Sequence, residues 1–450
     1  MKIKSDYLTI WQIAAPIMLG SLANAVINFT DVAFVARLGE HQLAASALGG
    51  LFYFIGVMVG FGFGTGIQIL IARRNGEGQN EEVNKVFDNG LLLTVGIAAI
   101  MILVLYSFLP SIVSMFVSEK EVAIYCCDYL ETRSWSLMFM MVLTSLRSFY
   151  TGIAYTRIIS YSTFLMMALN IVFNYMFTLG HWGAPALGVA GSGLASSLSE
   201  LIAAIYAIVY TFWHKEFKAY GLFKFKSVSI RQMKQITMLS LPIVFQHLIS
   251  MVAWFIFFVL IGRLGSHELA ISNVLRSIYM VLMTPIWGFS QAANTMVSNL
   301  IGQNKSDQVM TLVKRISLMS LIVGVTTVLI IIIYPNWLFH LTTSDDALIS
   351  AAISDFSIIC ISTVIFSISM VLLSALSGTG ATNVAMNFEI VNISIYLIYI
   401  FLCSFVWHSA ASTMWMVEIL YWLLMGIFCF TYLYSGKWKL KMNQIAYAHE

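Results

Sequence analysis

Residues 16–44 read PIMLGSLANAVINFTDVAFVARLGEHQLA. The run is apolar over about the 20 residues that a helix needs to cross a bilayer. One acid, Asp31, lies well inside it, and it closes on Arg37-Leu38-Gly39-Glu40-His41-Gln42-Leu43-Ala44. The closing signature returns as Arg263-Leu264-Gly265-Ser266-His267-Glu268-Leu269-Ala270, an offset of 226 (263 − 37). That register holds without a gap from Pro16/Pro242 to Gly76/Gly302, and sixteen of the 63 positions from 16 to 78 are identical to their partners. They include Phe29/Phe255, Ser46/Ser272, Tyr53/Tyr279 and Gly62-Phe63/Gly288-Phe289. Shared greasiness gives scattered matches, not R-L-G-x-H-x-L-A twice with a proline 21 residues before each arginine. The chain is a duplicated unit. Opposite Asp31 the second copy carries Phe257.

The 450 residues are 59% hydrophobic and 10% charged, against about 25% charged in a soluble domain. This composition is that of an integral membrane protein. A net charge of +3 carries no nucleic-acid signal. Five cysteines (Cys126, Cys127, Cys360, Cys403, Cys429) sit in apolar runs without a C-x-x-C, so neither a disulfide framework nor a zinc site is expected. The opening MKIKSDYLTIWQ lacks a short apolar core with a small-residue cleavage site, and the first span is expected to be retained.

Twelve apolar runs are long enough to span: 9–36, 44–72, 89–113, 124–154, 158–180, 188–213, 236–262, 270–300, 316–339, 349–377, 384–406 and 411–435. They divide into an amino-terminal six-helix lobe, 1–213, and a carboxy-terminal one, 236–435, followed by a tail, 436–450. Between the lobes lies the basic linker 214–235, HKEFKAYGLFKFKSVSIRQMKQ, with six Lys/Arg and with Ser229 placed to cap a helix entering the seventh span. Eighteen Lys/Arg fall on the side of the termini and linker, from Lys2 and Lys4 to Lys441. Three (Arg37, Lys120, Arg263) fall on the other. By the positive-inside rule both termini and the linker are cytoplasmic. With six spans per half, both halves enter the membrane in the same direction, as parallel repeats. The fold expected is all-α and integral to the membrane, with twelve transmembrane helices in two pseudo-symmetric lobes.

This pattern resembles the multidrug and toxic compound extrusion (MATE) transporters. The resemblance rests on two six-span halves, Pro16 followed fifteen residues later by Asp31, and the RLGEHQLA exit. The fifth span, Asn170-Ile171-Val172-Phe173-Asn174-Tyr175, is similar to the family's N-I-x-L-D-x. The stretch Gly188-Val189-Ala190-Gly191-Ser192-Gly193-Leu194-Ala195-Ser196 is similar to its G-x-x-G-A-A-x-A-T. The resemblance implies export of organic, often cationic compounds in exchange for H⁺ or Na⁺, through an outward-facing cleft. It implies a cation site of Asp31, Asn170, Asn174 and Ser196, with Na⁺ ligation at Asp31, Asn170 and Asn174 as one form. Asn174 stands where the family has an aspartate, leaving the cluster one formal charge. A second branch of the family keeps acids on the seventh and tenth spans. Those places are Ser250 and Ala381 here, so that carboxy-lobe site is absent.

Acids at bilayer depth are costly and face the protein interior. Asp31, too far from the span end to snorkel, suits loading and losing a proton, whereas a bound Na⁺ favours its charged form. Glu200, one turn beyond Ser196 on the same helix face, is the further candidate for the cation site. Glu200 and Glu418 form a pair late in their halves, each readable as a coupling acid or as a structural tie. Glu389 either lines the cleft or is hydrated near the cytoplasm. Glu389, Glu418 and Arg276 are the secondary or substrate-cleft candidates, with Arg147 and Arg276 as partners for these acids. Asp128, Glu131 and Arg133 read as a cluster at an outer helix end, solvated or mutually paired. Pro16 is either a static kink or a hinge that answers protonation of Asp31. His41 and His267 read as caps at outer junctions.

A flippase for lipid-linked saccharides favours basic residues to hold a pyrophosphate, and the charges within the spans here are mainly acidic. A membrane redox subunit or enzyme lacks support: there are no paired histidines, no metal spacing, no nucleophile elbow and no nucleotide loop. Multidrug efflux across the inner membrane by a monomer is the expectation. Its partners are small organic molecules and the bilayer, with no nucleic acid and no cofactor beyond the coupling ion.

Overall fold

The computed structural model describes residues 3–340, 342, 343 and 345–439, the side chains of 336 and 337 apart. The tail beyond 439, with Lys441, and Lys2 lie outside the described residues. Every regular element among the described residues is helical. The order is α1 Tyr7–Val35, α2 Glu40–Glu77, α3 Asn80–Phe116, α4 Lys120–Arg133, α5 Ser136–Gly152, α6 Arg157–Phe173, α7 Val189–Trp213, α8 Lys215–Lys218, α9 Ile230–Gly262, α10 Ser266–Gly302, α11 Val309–Ile333, α12 Pro335–His340, α13 Asp346–Gly378, α14 Thr382–Phe401 and α15 Ala411–Ser435.

Among the described residues eleven helices, counted with the short turns that continue them, are long and apolar enough to cross a membrane. The fourth span departs from the expected single helix over 124–154. It is built from α4 and α5, of 14 and 17 residues. Ser134 (φ −62°, ψ −32°) and Trp135 (φ −59°, ψ −29°) keep helical dihedrals. What changes is the bonding: the N–H groups of Leu137 and Met138 reach only three residues back, to the carbonyls of Ser134 and Trp135. One tightened turn interrupts an otherwise continuous traverse, immediately after Arg133. The result is a twelve-span, two-lobe fold.

The duplication is visible in the elements. α13 begins and ends 226 residues after the limits of α4 and α5 (346 − 120 and 378 − 152). The fifth span of each half ends in one wide π-helical turn, 174–178 after α6 and 402–406 after α14. Gly39 and Gly265 precede α2 and α10 with φ of 108° and 129°, a conformation that favours glycine. Ser229 does cap the seventh span: its Oγ accepts the Gln232 N–H at 3.4 Å.

Packing groups the chain differently from the sequence halves. Leu19–Val244 is one compact unit, and Met1–Met18 joins Phe245–Glu450 in the other. Both boundaries fall inside a helix that runs unbroken through its proline, two residues past Pro16 and two past Pro242. The first turns of α1 and α9 are thus exchanged. A repeated glycine makes room for each. A Cβ on Gly288 would lie 2.3 Å from Met18 Cγ, and one on Gly62 would lie 2.4 Å from Val244 Cγ2. Both glycine and partner are related by 226 (288 − 62, 244 − 18). The close approach of small residues is the ordinary way membrane helices gain van der Waals packing.

Candidate functional site

Asp31, partly exposed on α1, receives donors from three other segments. Asn170 on α6 donates its amide to Oδ1 at 3.0 Å, and Asn174 donates to the same oxygen at 2.6 Å. Ser196 on α7 donates to Oδ2 at 3.1 Å. Asn170 also donates to Ser196 Oγ at 3.2 Å. Asn174 opens the wide turn, where its Nδ2 reaches the Asn170 carbonyl at 3.0 Å and its Oδ1 accepts from Thr178 at 3.0 Å. Ser196 arrives because α7 closes on that turn: a Cβ on Gly191 would lie 2.3 Å from the Phe177 carbonyl oxygen. Both asparagines are fully buried. Asn170 Oδ1 has no donor, so the cluster can accept one more hydrogen.

Every polar atom that the cluster turns toward the Asp31 carboxylate is a donor. Hard cations take oxygen ligands, and the atoms of Asn170 and Asn174 that face Asp31 are amide nitrogens, which only donate. No group of three or more His, Cys, Asp or Glu arranged for a metal occurs among the described residues.

Glu200 is not part of this cluster. Its carboxylate lies in a separate ring of bonds, and Arg133, expected to be solvated or paired with Asp128 or Glu131, closes that ring. Arg133 Nη2 donates to Glu200 Oε1 at 2.9 Å, and both side chains are 12% exposed. Arg133 Nη1 donates to Ser136 Oγ at 2.8 Å, Ser136 donates to the Tyr53 hydroxyl at 2.9 Å, and Tyr53 donates to Glu200 at 3.3 Å. The guanidinium also covers the Tyr53 ring at 3.9 Å. Long side chains explain the correction: Glu200 and Ser196 share a helix face, but Glu200 reaches toward α2 and the α4–α5 turn instead of α1.

The carboxy-terminal candidates also find definite partners. Glu389 is 2% exposed. Its Oε1 accepts from Ser250 Oγ at 2.5 Å and from the Tyr421 hydroxyl at 2.7 Å; it is buried, not hydrated. Glu418, 4% exposed, accepts from the Trp254 indole at 3.1 Å, Tyr279 at 3.2 Å and Tyr396 at 3.4 Å. Arg276 joins neither acid; its guanidinium lies 5.2 Å from the Phe258 ring centroid. Arg147 donates to Thr163 at 3.2 Å. Phe257, opposite Asp31 in the repeat, packs edge-on against Trp415. His41 is flanked by Glu119 and Glu121 at 3.3 and 3.1 Å and is not a helix cap.

Sequence reasoning missed Ser136 and Ser362, and gave Tyr53 and Tyr279 no role. A signal was present: the tyrosines and the serines are both 226 apart, and Ser362 bonds Tyr279 at 2.8 Å as Ser136 bonds Tyr53. Extending the register beyond Gly76 finds them.

Comparison with known proteins follows the same duplication. The MatE family model matches twice, over residues 16–176 and 242–405, and the second match starts 226 residues after the first. A probable multidrug resistance protein NorM of Idiomarina loihiensis is 24% identical over 389 residues, 85% of this chain and 83% of that protein. The NorM relative of Agrobacterium fabrum is 26% identical over 290 residues, 64% of this chain and 62% of its own. That of Halalkalibacterium halodurans is 30% identical over 232 residues, 51% and 50%. The chain thus spans less than two thirds of the length of these last two. Among solved structures, an outward-facing multidrug resistance MATE transporter of the MOP superfamily superimposes with a TM-score of 0.86 over 95% of this chain and 96% of that one, at 17% identity. A MOP superfamily transporter from Pyrococcus furiosus gives 0.86 over 95% of both, at 18% identity. With both halves matched by one model and the whole fold shared, the chain belongs to the MatE family, the multidrug and toxic compound extrusion proteins.

Proposed function

We propose that this multi-pass membrane protein is a secondary active exporter, not an enzyme, that expels organic, cationic and amphipathic compounds in exchange for protons. The observation that carries the reading is the Asp31 cluster. It is one acid at bilayer depth, held by three uncharged donors from α6, the following turn and α7, with no ion pair to it among the described residues. A site with one formal charge accommodates one proton per cycle. Protonation removes the charge that the Asn170, Asn174 and Ser196 donors hold in place. It thereby shifts the balance between two arrangements of α1 by the difference in proton affinity between them, with Pro16 as the place where the helix bends. The names of the NorM relatives support multidrug substrates, and the mainly acidic interior supports cationic ones. The eighteen-to-three charge bias supports cytoplasmic termini in an inner-membrane protein, working as a monomer.

The test is efflux of a fluorescent cation from inverted vesicles, with pH and Na⁺ gradients imposed separately. Wild type is expected to respond to the pH gradient. Asp31→Asn is expected to abolish gradient-driven efflux while remaining folded and able to bind substrate. Wild-type rates in a well-expressed Asp31→Asn variant, or a response to Na⁺ alone, would sink the mechanism.

A further inference from the structure

The carboxy-terminal unit holds two buried acids that a mechanism centred on Asp31 leaves unused. Their setting repeats that of the amino-terminal unit. There α1, α6 and α7 bracket Asp31. Here the repeat-related helices α9, α14 and α15 bracket Glu418 and Glu389, through Trp254 and Ser250 on α9, Tyr396 on α14 and Tyr421 on α15.

The comparison sharpens at the tyrosine–serine–glutamate triads. Tyr53, Ser136 and Glu200 form one; Tyr279, Ser362 and Glu418 form the other. In the first, Arg133 neutralises the carboxylate. Its repeat position, 226 residues on, is Ile359, which is fully buried and carries no charge. Glu418 instead meets only uncharged donors. From α9 it faces Trp254, from α10 Tyr279, and from α14 Tyr396. Ser362 of α13 and the Trp422 indole reach it through the Tyr279 hydroxyl, at 2.8 and 2.9 Å. Tyr421, on the same helix as Glu418, donates its hydroxyl to Glu389 at 2.7 Å and lies within electrostatic reach of both acids. Arg276 of α10 lies on Phe258. Among the described residues no basic side chain pairs with Glu418.

A buried carboxylate without a counter-charge is unfavourable and is relieved by taking up a cation. The surroundings set the size of that cation. Phe257, Tyr279 and Trp415 are fully buried around the site and Tyr396 is 3% exposed, and aromatic rings close it on several sides. We propose that the carboxy-terminal lobe carries a second proton-binding site, with Glu418 as the carboxyl that takes the proton and Trp254, Tyr279 and Tyr396 as the groups that hold it. The proton comes from a hydronium ion of the aqueous phase, whose O–H bond breaks as it leaves as water. An O–H bond forms at Oε2 and donates to the Tyr279 oxygen, and the Tyr279 hydrogen turns from Oε2 to Ser362 Oγ. No other bond is made or broken. The transporter then exchanges protons in both lobes. The idea extends the proton coupling proposed for Asp31, but it is read out without transport.

The experiment is infrared difference spectroscopy of the full-length protein in lipid nanodiscs between alkaline and acid pH, where each buried carboxyl that gains a proton adds a protonated C=O band. Glu418→Gln is expected to lose one band. Asp31→Asn keeps that band, and Glu200→Gln removes none, because the Glu200 carboxylate has the Arg133 guanidinium as its counter-charge at 2.9 Å. Trp254→Phe removes a donor to the carboxyl, so the Glu418 band moves to higher frequency. A wild-type set of bands in Glu418→Gln overturns the proposal. If Glu418→Gln does not fold, unshifted bands in Trp254→Phe overturn it instead. A Glu418 band in a protein whose efflux ignores the pH gradient leaves this site standing and refutes the proton-driven cycle.

Discussion

Replacing Arg133 by leucine tests the buried ring around Glu200. Arg133 supplies the 2.9 Å ion pair to Glu200, the 2.8 Å bond to Ser136 and the cover over the Tyr53 ring at 3.9 Å. Removing one partner of a buried pair costs about 3–5 kcal/mol, because the other charge stays buried without compensation. Glu200 would keep only the Tyr53 hydroxyl, at 3.3 Å. Adding Glu200→Gln removes that stranded charge and leaves the lost guanidinium–ring contact, worth about 2 kcal/mol when desolvated. The double variant is therefore expected to be more stable than Arg133→Leu alone. The coupling energy should lie toward the upper end of the roughly 0.5–3 kcal/mol seen for residues in direct contact. Reversible denaturation in detergent, followed by tryptophan fluorescence for the wild type, both single variants and the double, measures it. A coupling below about 0.5 kcal/mol would mean that the pair is not the compensated unit described, and the contrast with Glu418 would fall with it.

Other expectations follow from single contacts. Gly62→Val and Gly288→Val drive a side chain into Val244 and Met18; each should lower stability by about 1–3 kcal/mol as overpacking does, and unchanged thermal unfolding of both would contradict the exchanged half-helices. Asp88 accepts the N–H groups of Phe223 and Phe225 at 2.9 and 2.8 Å, two residues held at φ of 62° and 47°. Asp88→Ala frees both donors, at about 1–3 kcal/mol each, and should speed proteolysis within 219–229; an unaltered cleavage rate would count against the clamp. Single cysteines at positions 41 and 267 should label from outside intact cells and one at 220 should not; labelling at 220 from outside inverts the topology.

The sequence by itself determined what hydropathy and register carry. Span length and the positions of Lys and Arg are local properties, so the helices, the duplication and the depth of Asp31 were all readable before any contact was known. The two-piece fourth span escaped because Ser134 and Trp135 keep helical dihedrals and only their hydrogen bonds change. Asn170, Asn174 and Ser196 came from family likeness. Their meeting with Asp31 joins residues 139, 143 and 165 positions apart, which no local pattern encodes. Only the tertiary structure decided that Glu200 turns to Arg133, that Glu389 meets Ser250, and that the first turns of α1 and α9 change units. A long side chain on a given helix face has several neighbouring helices within reach, and which one it bonds depends on how closely each is allowed to approach. At Gly62, Gly191 and Gly288 that approach is set by a missing side chain, whose consequence appears only when the facing backbone is in place.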